Sequence, residues 1–299
     1  AFDKLGYCYH YGEGVEHNYS KAIEYYEKSG RPDNNGIINN IGTLYEEGKG
    51  VEQNYFKAFE CYEKAAKLGN IEALINLGNL YCEGQGVKQN YSKAIEYYDK
   101  AAELGEPYAM NNLAKLYLYG RGVKKNVSKA VEYFEKAAEL NNSIALANLG
   151  TLYSNGIGVE RNYSKAFEYN EKAASLGDSS ALLNLGDLYY YGRGVERNCS
   201  KGFEYYEKAV NSGNNNALIR LGDCYDDGVG VERNYSKAIE YYKKAADLGK
   251  AEAFSRLGTH YQDGKGVEQD DSKAIKYFKK AAKLGDDLAQ VILRQMNLK

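Results

Sequence analysis

The chain has 299 residues, 43% of them apolar and 27% charged, a balance that supplies a core and excludes the low-hydrophobicity, high-charge composition of disordered chains. Lys plus Arg total 39 against 41 for Asp plus Glu, which excludes both the basic excess of a nucleic-acid binder and an acidic tail. With 31 Tyr, 32 Gly and no Trp the composition is biased, and the glycines are periodic.

Gly12, Gly48, Gly84, Gly120, Gly156, Gly192, Gly228 and Gly264 stand 36 residues apart, each followed by x-Gly-Val. The period divides one uninterrupted domain into repeats 1–36, 37–72, 73–108, 109–144, 145–180, 181–216, 217–252 and 253–288, and leaves 289–299 as a terminal helix. The nonapeptide NYSKAIEYY recurs letter for letter at 18–26, 90–98 and 234–242.

Each repeat predicts a helix, a turn and a second helix. In the third, Leu74, Leu77, Gly78 and Tyr81 fall at i, i+3, i+4 and i+7, with Leu80 widening the apolar stripe. Gly84 suits the left-handed closing position, and Gly86 allows a sharp turn before Val87 enters the core. Ala94, Ile95, Tyr98, Ala101 and Ala102 share one side of the second helix; Glu96, Asp99, Lys100 and Glu103 lie opposite, and Gly105 ends it. The Glu96 to Lys100 spacing recurs in most repeats, an i,i+4 pair on a solvated outer face worth about 0.3 kcal/mol.

Asn-x-Ser sites occur at Asn18, Asn90, Asn126, Asn141, Asn162, Asn198 and Asn234, and six of the seven begin a second helix. Repeat 2 has Asn54 before Tyr55 and Phe56, and repeat 8 has Asp270; both lose the glycan acceptor pattern but keep a side-chain oxygen able to cap a helix. The capping role therefore covers all eight repeats. In SGRPDNNGI at 29–37, Pro32 and Gly36 are expected to disturb the end of the second helix of repeat 1 and allow a hinge. Arg294 and Gln290 replace the apolar or small residues at Gly258 and Phe254, as suits a cap facing water.

One helix pair cannot bury both faces, so neighbouring pairs must stack into an all-α solenoid, with Ala101 and Ala102 admitting close approach. The pattern A-x-x-x-L-G-x-x-Y-x-x-G-x-G-V, a loop, then N-x-S-K-A-x-E-Y-Y-x-K-A-A-x-L-G resembles the Sel1-like repeat, a relative of the tetratricopeptide repeat. Leu77, Gly78, Tyr81, Gly84, Gly86, Lys93, Ala94, Ala101 and Ala102 carry the likeness. The departures are Asn90 where the family often has Asp, Tyr97 where it often has Trp, and Ala114 in place of glycine in repeat 4. The resemblance implies a right-handed α-solenoid acting as a non-enzymatic adaptor that binds a protein or peptide in a concave groove lined by the first helices.

On that groove the recurrent column is Asn76, Asn112, Asn148 and Asn184, then Arg220 and Arg256, an amide ladder able to pair with an extended peptide. The varied columns supply Asn79, Lys115, Asp187 and Asp223, then Glu83, Tyr119, Asn155, Tyr191, Asp227 and Asp263, with Tyr190 and Asp226 beside them. Acids towards the C-terminal end and rigid tyrosines predict a partner with basic and apolar residues. A carboxylate clamp of the tetratricopeptide kind is incomplete: Asn184 and Arg220 match, but Ala147 and Asn216 stand where lysines are needed.

The glycine motifs end helices rather than opening them after a strand, unlike a phosphate cradle. His10, His17 and His260 show no metal-ligand spacing, and Asp226 and Asp227 diverge by about 100° as helix neighbours, which argues against acid–base work. Cys8, Cys61, Cys82, Cys199 and Cys224 form no CxxC pair; Cys8 and Cys224 share a position otherwise mostly Leu, as core residues do. Neither a cofactor nor a metal is expected, and no stretch is suited to membrane insertion. Unpaired cysteines favour the cytoplasm, while the Asn-x-Ser sites leave a secreted or lumenal location open. A start at Ala1, without Met and at a repeat boundary, suggests a piece of a longer protein. The competing reading is a passive spacer within such a protein.

Overall fold

The computed structural model describes residues 2–29 and 33–296, so Pro32 lies outside the described residues. Among these there are seventeen helices and no strand. The first four pairs are α1 (Phe2–Tyr11) with α2 (Tyr19–Lys28), α3 (Asn35–Glu47) with α4 (Tyr55–Lys67), α5 (Ile71–Glu83) with α6 (Tyr91–Glu103), and α7 (Pro107–Tyr119) with α8 (Val127–Glu139). The next four are α9 (Ser143–Asn155) with α10 (Tyr163–Ser175), α11 (Ser179–Tyr191) with α12 (Cys199–Asn211), α13 (Ala217–Asp227) with α14 (Tyr235–Asp247), and α15 (Ala251–Asp263) with α16 (Asp271–Lys283). A last helix, α17 (Asp287–Gln295), follows. The chain forms two compact units, Ala1–Ala145 and Leu146–Lys299.

Every second helix starts from the same cap. The side-chain oxygen of Asn18, Asn54, Asn90, Asn126, Asn162, Asn198, Asn234 or Asp270 accepts the N–H three residues on, at 2.9–3.1 Å, a bond worth about 1 kcal/mol. The capping residue's own N–H donates back to the first helix, as Asn90 does to the Tyr81 carbonyl at 2.8 Å, so the cap also fixes the loop. The residue that closes the cap is always Lys, and its amine swings over the tyrosine at position 81 or its equivalent. The separations run from 4.2 Å for Lys201 over Tyr189 to 5.3 Å for Lys273 over Tyr261. Tyr81 in turn stacks on Tyr97 at 5.8 Å. In repeat 2, Cys61 stands where the stacked ring would be.

The second tyrosine of each EYY faces inward. Tyr62, Tyr206 and Tyr242 are completely or almost completely buried, as are Phe134 and Phe278. The ring lies against the glycine midway along the first helix: a Cβ on Gly78 would come within 2.4 Å of Tyr98 Cε1, and one on Gly222 within 2.4 Å of Tyr242 Cε1. Repeat 4 has Ala114 at this position, opposite Phe134 rather than a tyrosine. Ala58, Tyr62, Leu77 and Leu80 form one core layer in the first unit; Tyr206, Leu221, Ala238 and Tyr242 belong to another in the second.

Gly84 closes α5 in the left-handed conformation with φ 73°. Gly86 has a second reason to be glycine, because a Cβ there would lie 2.5 Å from the carbonyl of Tyr55 at the start of the preceding second helix. The loop of one repeat thus rests on the first turn of the one before. Asn141, at φ 58°, takes the left-handed place held by Gly105 and Gly177 in neighbouring repeats, which gives that Asn-x-Ser site a turn role as well.

At the first junction α2 has 10 residues where the other second helices have 13. Gly36 falls inside α3, whose cap is Asn34. The terminal helix begins earlier than 289 because Asp286 caps the Ala289 N–H at 2.7 Å; Leu293 is buried and Arg294 exposed. On the outer face Glu24–Lys28, Glu132–Lys136 and Glu240–Lys244 are closed ion pairs, while Lys100 and Lys208 lie over Tyr97 and Tyr205.

Two outcomes follow for the stability of this layer. Gly78→Ala is expected to destabilise by about 1–3 kcal/mol in denaturant unfolding, since the buried Tyr98 ring must shift. Asn90→Ala is expected to lose about 1 kcal/mol and Asn90→Asp to lose far less, because the cap needs only an oxygen.

Candidate functional site

The hydroxyl of the buried tyrosine reaches the first helix of its own repeat, 19 residues back. In the first unit Tyr98 donates to Asn79 Oδ1 at 2.6 Å, and Tyr62 donates to the Glu46 carboxylate with Thr43 Oγ1 at 3.4 Å. In the second, Tyr206 donates to Asp187 at 2.7 Å and Tyr242 to Asp223 at 2.8 Å. Burial first, and then the aspartates, push both phenols far above the ordinary tyrosine range. Where the second helix offers Phe134 instead, the matching residue is Lys115, half-buried, whose amine is pushed down by desolvation.

The ladder column is turned towards the preceding repeat. Asn76 donates to Asn39 Oδ1 at 3.1 Å and Asn112 to Asn79 Oδ1 at 3.4 Å. In the second unit Asn184 donates to Thr151 Oγ1 at 3.2 Å and Asn170 Oδ1 at 3.0 Å. Arg220 pairs with Asp187 at 3.3 Å, and Arg256 pairs with Asp223 at 3.0 Å and Glu252 at 3.2 Å. Asn148 lies half-buried on α9. These side chains tie successive repeats together, and Asp187 and Asp223 each serve a tyrosine and an arginine at once.

The side chains at the last turns of the first helices behave differently. Glu83 is exposed, Tyr119 is 63% exposed with the Arg121 guanidinium 5.6 Å from its ring centre, and Tyr191 is 47% exposed with Arg193 at 4.8 Å. Asn155 donates to the Thr151 carbonyl at 3.0 Å, and Asp263 pairs with Lys265 at 2.8 Å.

Two of these turns enclose a cavity of 280 Å³ in the second unit. Tyr190 and Tyr191 of α11 form one wall, Asp226 and Asp227 of α13 the other, and Arg220, Asp223, Cys224 and Arg256 lie between. Adjacent in sequence, the two aspartates nonetheless both line this space. Asp227 sits at its exposed lip; partial desolvation, then Asp226 and Asp223, push its carboxyl above the usual range. Burial, with Cys224 and Asp227 adding, pushes the Tyr190 phenol up to about 12. A second cavity, of 520 Å³, lies in the first unit among α4, α5 and α6, with Leu74, Leu77, Tyr97 and Leu104 in its lining.

Two features escaped the sequence reading. The 19-residue link between Tyr98 and Asn79 could have been found from the chain itself, since Phe134 and Phe278 stand opposite Lys115 and Thr259. His260 takes a core position held by leucine in five other repeats and by Cys8 and Cys224 in two; it is 2% exposed, its Nδ1 lies 2.8 Å from the Lys265 carbonyl, and its Nε2 faces Asp226 Oδ1 at 3.4 Å. Among the described residues no group of three or more His, Cys, Asp or Glu is arranged to hold a metal ion, and no helix is long and apolar enough to cross a membrane.

The Sel1 repeat pattern matches residues 4–31, 38–70, 71–106, 107–142, 143–178, 179–214, 215–250 and 251–286. Among solved structures, a protective antigen present in uropathogenic Escherichia coli strains is 32% identical with a TM-score of 0.74, over 99% of this chain and 63% of that one. The chain thus spans less than two thirds of that relative. A Sel1 repeat protein from Oxalobacter formigenes is 33% identical, also with a TM-score of 0.74, over 82% of this chain and 99% of that one. Yeast Tom70 shares the fold at 16% identity and a TM-score of 0.50, over 91% of this chain and 57% of that one. No curated protein matches significantly. With eight matched repeats covering nearly its whole length, the chain belongs to the Sel1 repeat family, an all-α solenoid family whose members generally serve as protein-interaction scaffolds.

Proposed function

We propose that the chain is a non-enzymatic scaffold that captures a protein or peptide partner on the face lined by its first helices. One observation carries this reading: the scaffold's demands are met by the tyrosine, amide and arginine bonds below, whereas the last turns carry exposed side chains that differ from repeat to repeat. Glu83, Tyr119, Asn155, Tyr191, Asp227 and Asp263 occupy one repeat position with four residue types, all of them exposed. Variation at a fixed structural position supports selection by a partner rather than by packing, and aromatic side chains there suit interface anchors. Asn76, Asn112, Asn184, Arg220 and Arg256 would act beneath, holding those turns in register.

Affinity capture by the full chain, followed by mass spectrometry and measurement of each retained protein's affinity, tests the reading. A variant carrying Glu83→Lys, Tyr119→Ala, Tyr191→Ala and Asp227→Lys is expected to weaken the partner by at least about tenfold. A control carrying Glu60→Lys, Glu96→Lys and Glu204→Lys on the second helices is expected to keep it. Equal retention by both variants, or loss only in the control, contradicts the reading.

A further inference from the structure

Repeat 4 departs from the shared network of the first helices. The column that faces the inward ring reads Tyr7, Thr43, Asn79, Thr151, Asp187, Asp223 and Thr259 in the other repeats, and Lys115 is its one cation. Phe134 brings no hydroxyl, so the scaffold needs no acceptor here; where repeat 8 has the same lack, with Phe278, the matching residue is the neutral Thr259. Nothing in the packing therefore calls for a charge at position 115. Lys115 nevertheless puts one in a half-buried place, where desolvation disfavours it. Among the described residues no carboxylate lies within ion-pair distance of its amine.

Two further departures fall in the same repeat. In repeats 2 and 8 the cation after the closing glycine pairs with an acid two residues before it, Lys49 with Glu47 at 2.9 Å and Lys265 with Asp263 at 2.8 Å. In repeat 4 Tyr119 stands in place of that acid, and the Arg121 guanidinium lies over its ring instead. The loop acid found as Glu16, Glu52, Glu160, Glu196, Glu232 and Glu268 becomes Lys124, with Lys125 beside it. Arg121, Lys124 and Lys125 are exposed, and among the described residues none of them has an ion pair, with Glu83 of the preceding last turn or with any other acid.

We infer that the last turn of α7 and the loop after it seat an acidic segment of the protein partner, one carboxylate bonded to the Lys115 amine and the next held by Arg121, with Lys124 and Lys125 flanking. The inference rests on the scaffold reading above and gives this stretch of the surface its charge preference. Lys115 and Tyr119, which carries Arg121, are one helical turn apart on α7, about 6 Å along the axis. Side chains two residues apart in an extended chain are about 6.6 Å apart, so alternate acids meet both cations. A carboxylate also gives Lys115 the counter-charge that the fold withholds, through a charge-assisted hydrogen bond. The loops of repeats 2 and 5 return to Glu52 and Glu160, so the cations answer a few carboxylates rather than a long phosphate backbone.

The test is titration of the full chain at low salt with a blocked nonapeptide of alternating serine and glutamate, its glutamine counterpart, and a thymidine oligonucleotide of the same charge. The glutamate peptide is expected to bind, with the other two each weaker by at least about tenfold. Lys115→Met removes the charge and keeps an apolar stem; it should weaken the glutamate peptide about tenfold while the melting temperature stays level or rises at neutral pH. Because burial lowers the Lys115 pKa in the fold, its charge disfavours folding below that pKa, and the variant's gain should vanish as pH rises through the lysine range. The exposed pair Lys124→Glu/Lys125→Glu should also lose the peptide, whereas Lys243→Met, exposed on α14, should bind as the parent does. No binding of the glutamate peptide, equal binding of the glutamine peptide or the oligonucleotide, unchanged binding by Lys115→Met, or equal loss from Lys243→Met each overturns the inference. A partner lost from the four-substitution variant but kept by both Lys115→Met and Lys124→Glu/Lys125→Glu overturns the acidic-segment seat alone. A glutamate peptide that binds while no protein depends on the first-helix face overturns the scaffold reading alone.

Discussion

The structure depends on one contact that recurs in six repeats, an aromatic ring of the second helix laid against a glycine of the first; Asn170 replaces the ring against Gly150, and Ala114 replaces the glycine opposite Phe134. Tyr98 on Gly78 and Tyr242 on Gly222 show its form: no Cβ fits, so the helices meet at the distance the ring sets. A buried phenol then requires an acceptor, since an unsatisfied hydroxyl costs about 1–3 kcal/mol. That requirement selects Asn79, Asp187 and Asp223 on the first helix, and those acceptors in turn hold Asn112, Arg220 and Arg256 of the next repeat. Packing within a repeat and registration between repeats are one network.

This network divides the first-helix residues into two tiers. The lower tier is occupied by internal bonds and keeps successive pairs aligned. The upper tier, at the last turns, is exposed and free to vary because the glycine closing each helix and the cap beyond it do not depend on which side chain precedes them. Asp223 and Asp227 are four residues apart on α13, yet the first answers Tyr242 and Arg256 while the second stands at the lip of a cavity. The proposed binding residues stand where the scaffold is indifferent.

The architecture was legible because repetition multiplies weak signals: the capping Asn, the closing Gly and the inward Ala and Tyr each recur in step, and the structure reproduces the caps in all eight repeats. The short α2 was foreshadowed by the irregular stretch at 29–37. Less was legible at the candidate site. A column such as Asn79, Lys115, Asp187 and Asp223 reads as free surface in one dimension, since its partner lies 19 residues away on another helix. Asp226 and Asp227 look divergent as neighbours on a helix, but the cavity is broad enough to be lined by both. His260 gave no spacing signal at all, because its role depends on a buried position otherwise filled by leucine or cysteine.

The most direct test of this two-tier account is thermal unfolding of Asp223→Asn beside Asp227→Asn at neutral pH. The account predicts that Asp223→Asn lowers the midpoint, by weakening the bonds to Tyr242 and Arg256, while Asp227→Asn leaves it level or raises it by removing a repelled charge. A fall for Asp227→Asn equal to that of Asp223→Asn, or no fall for Asp223→Asn, would contradict the division between scaffold and site.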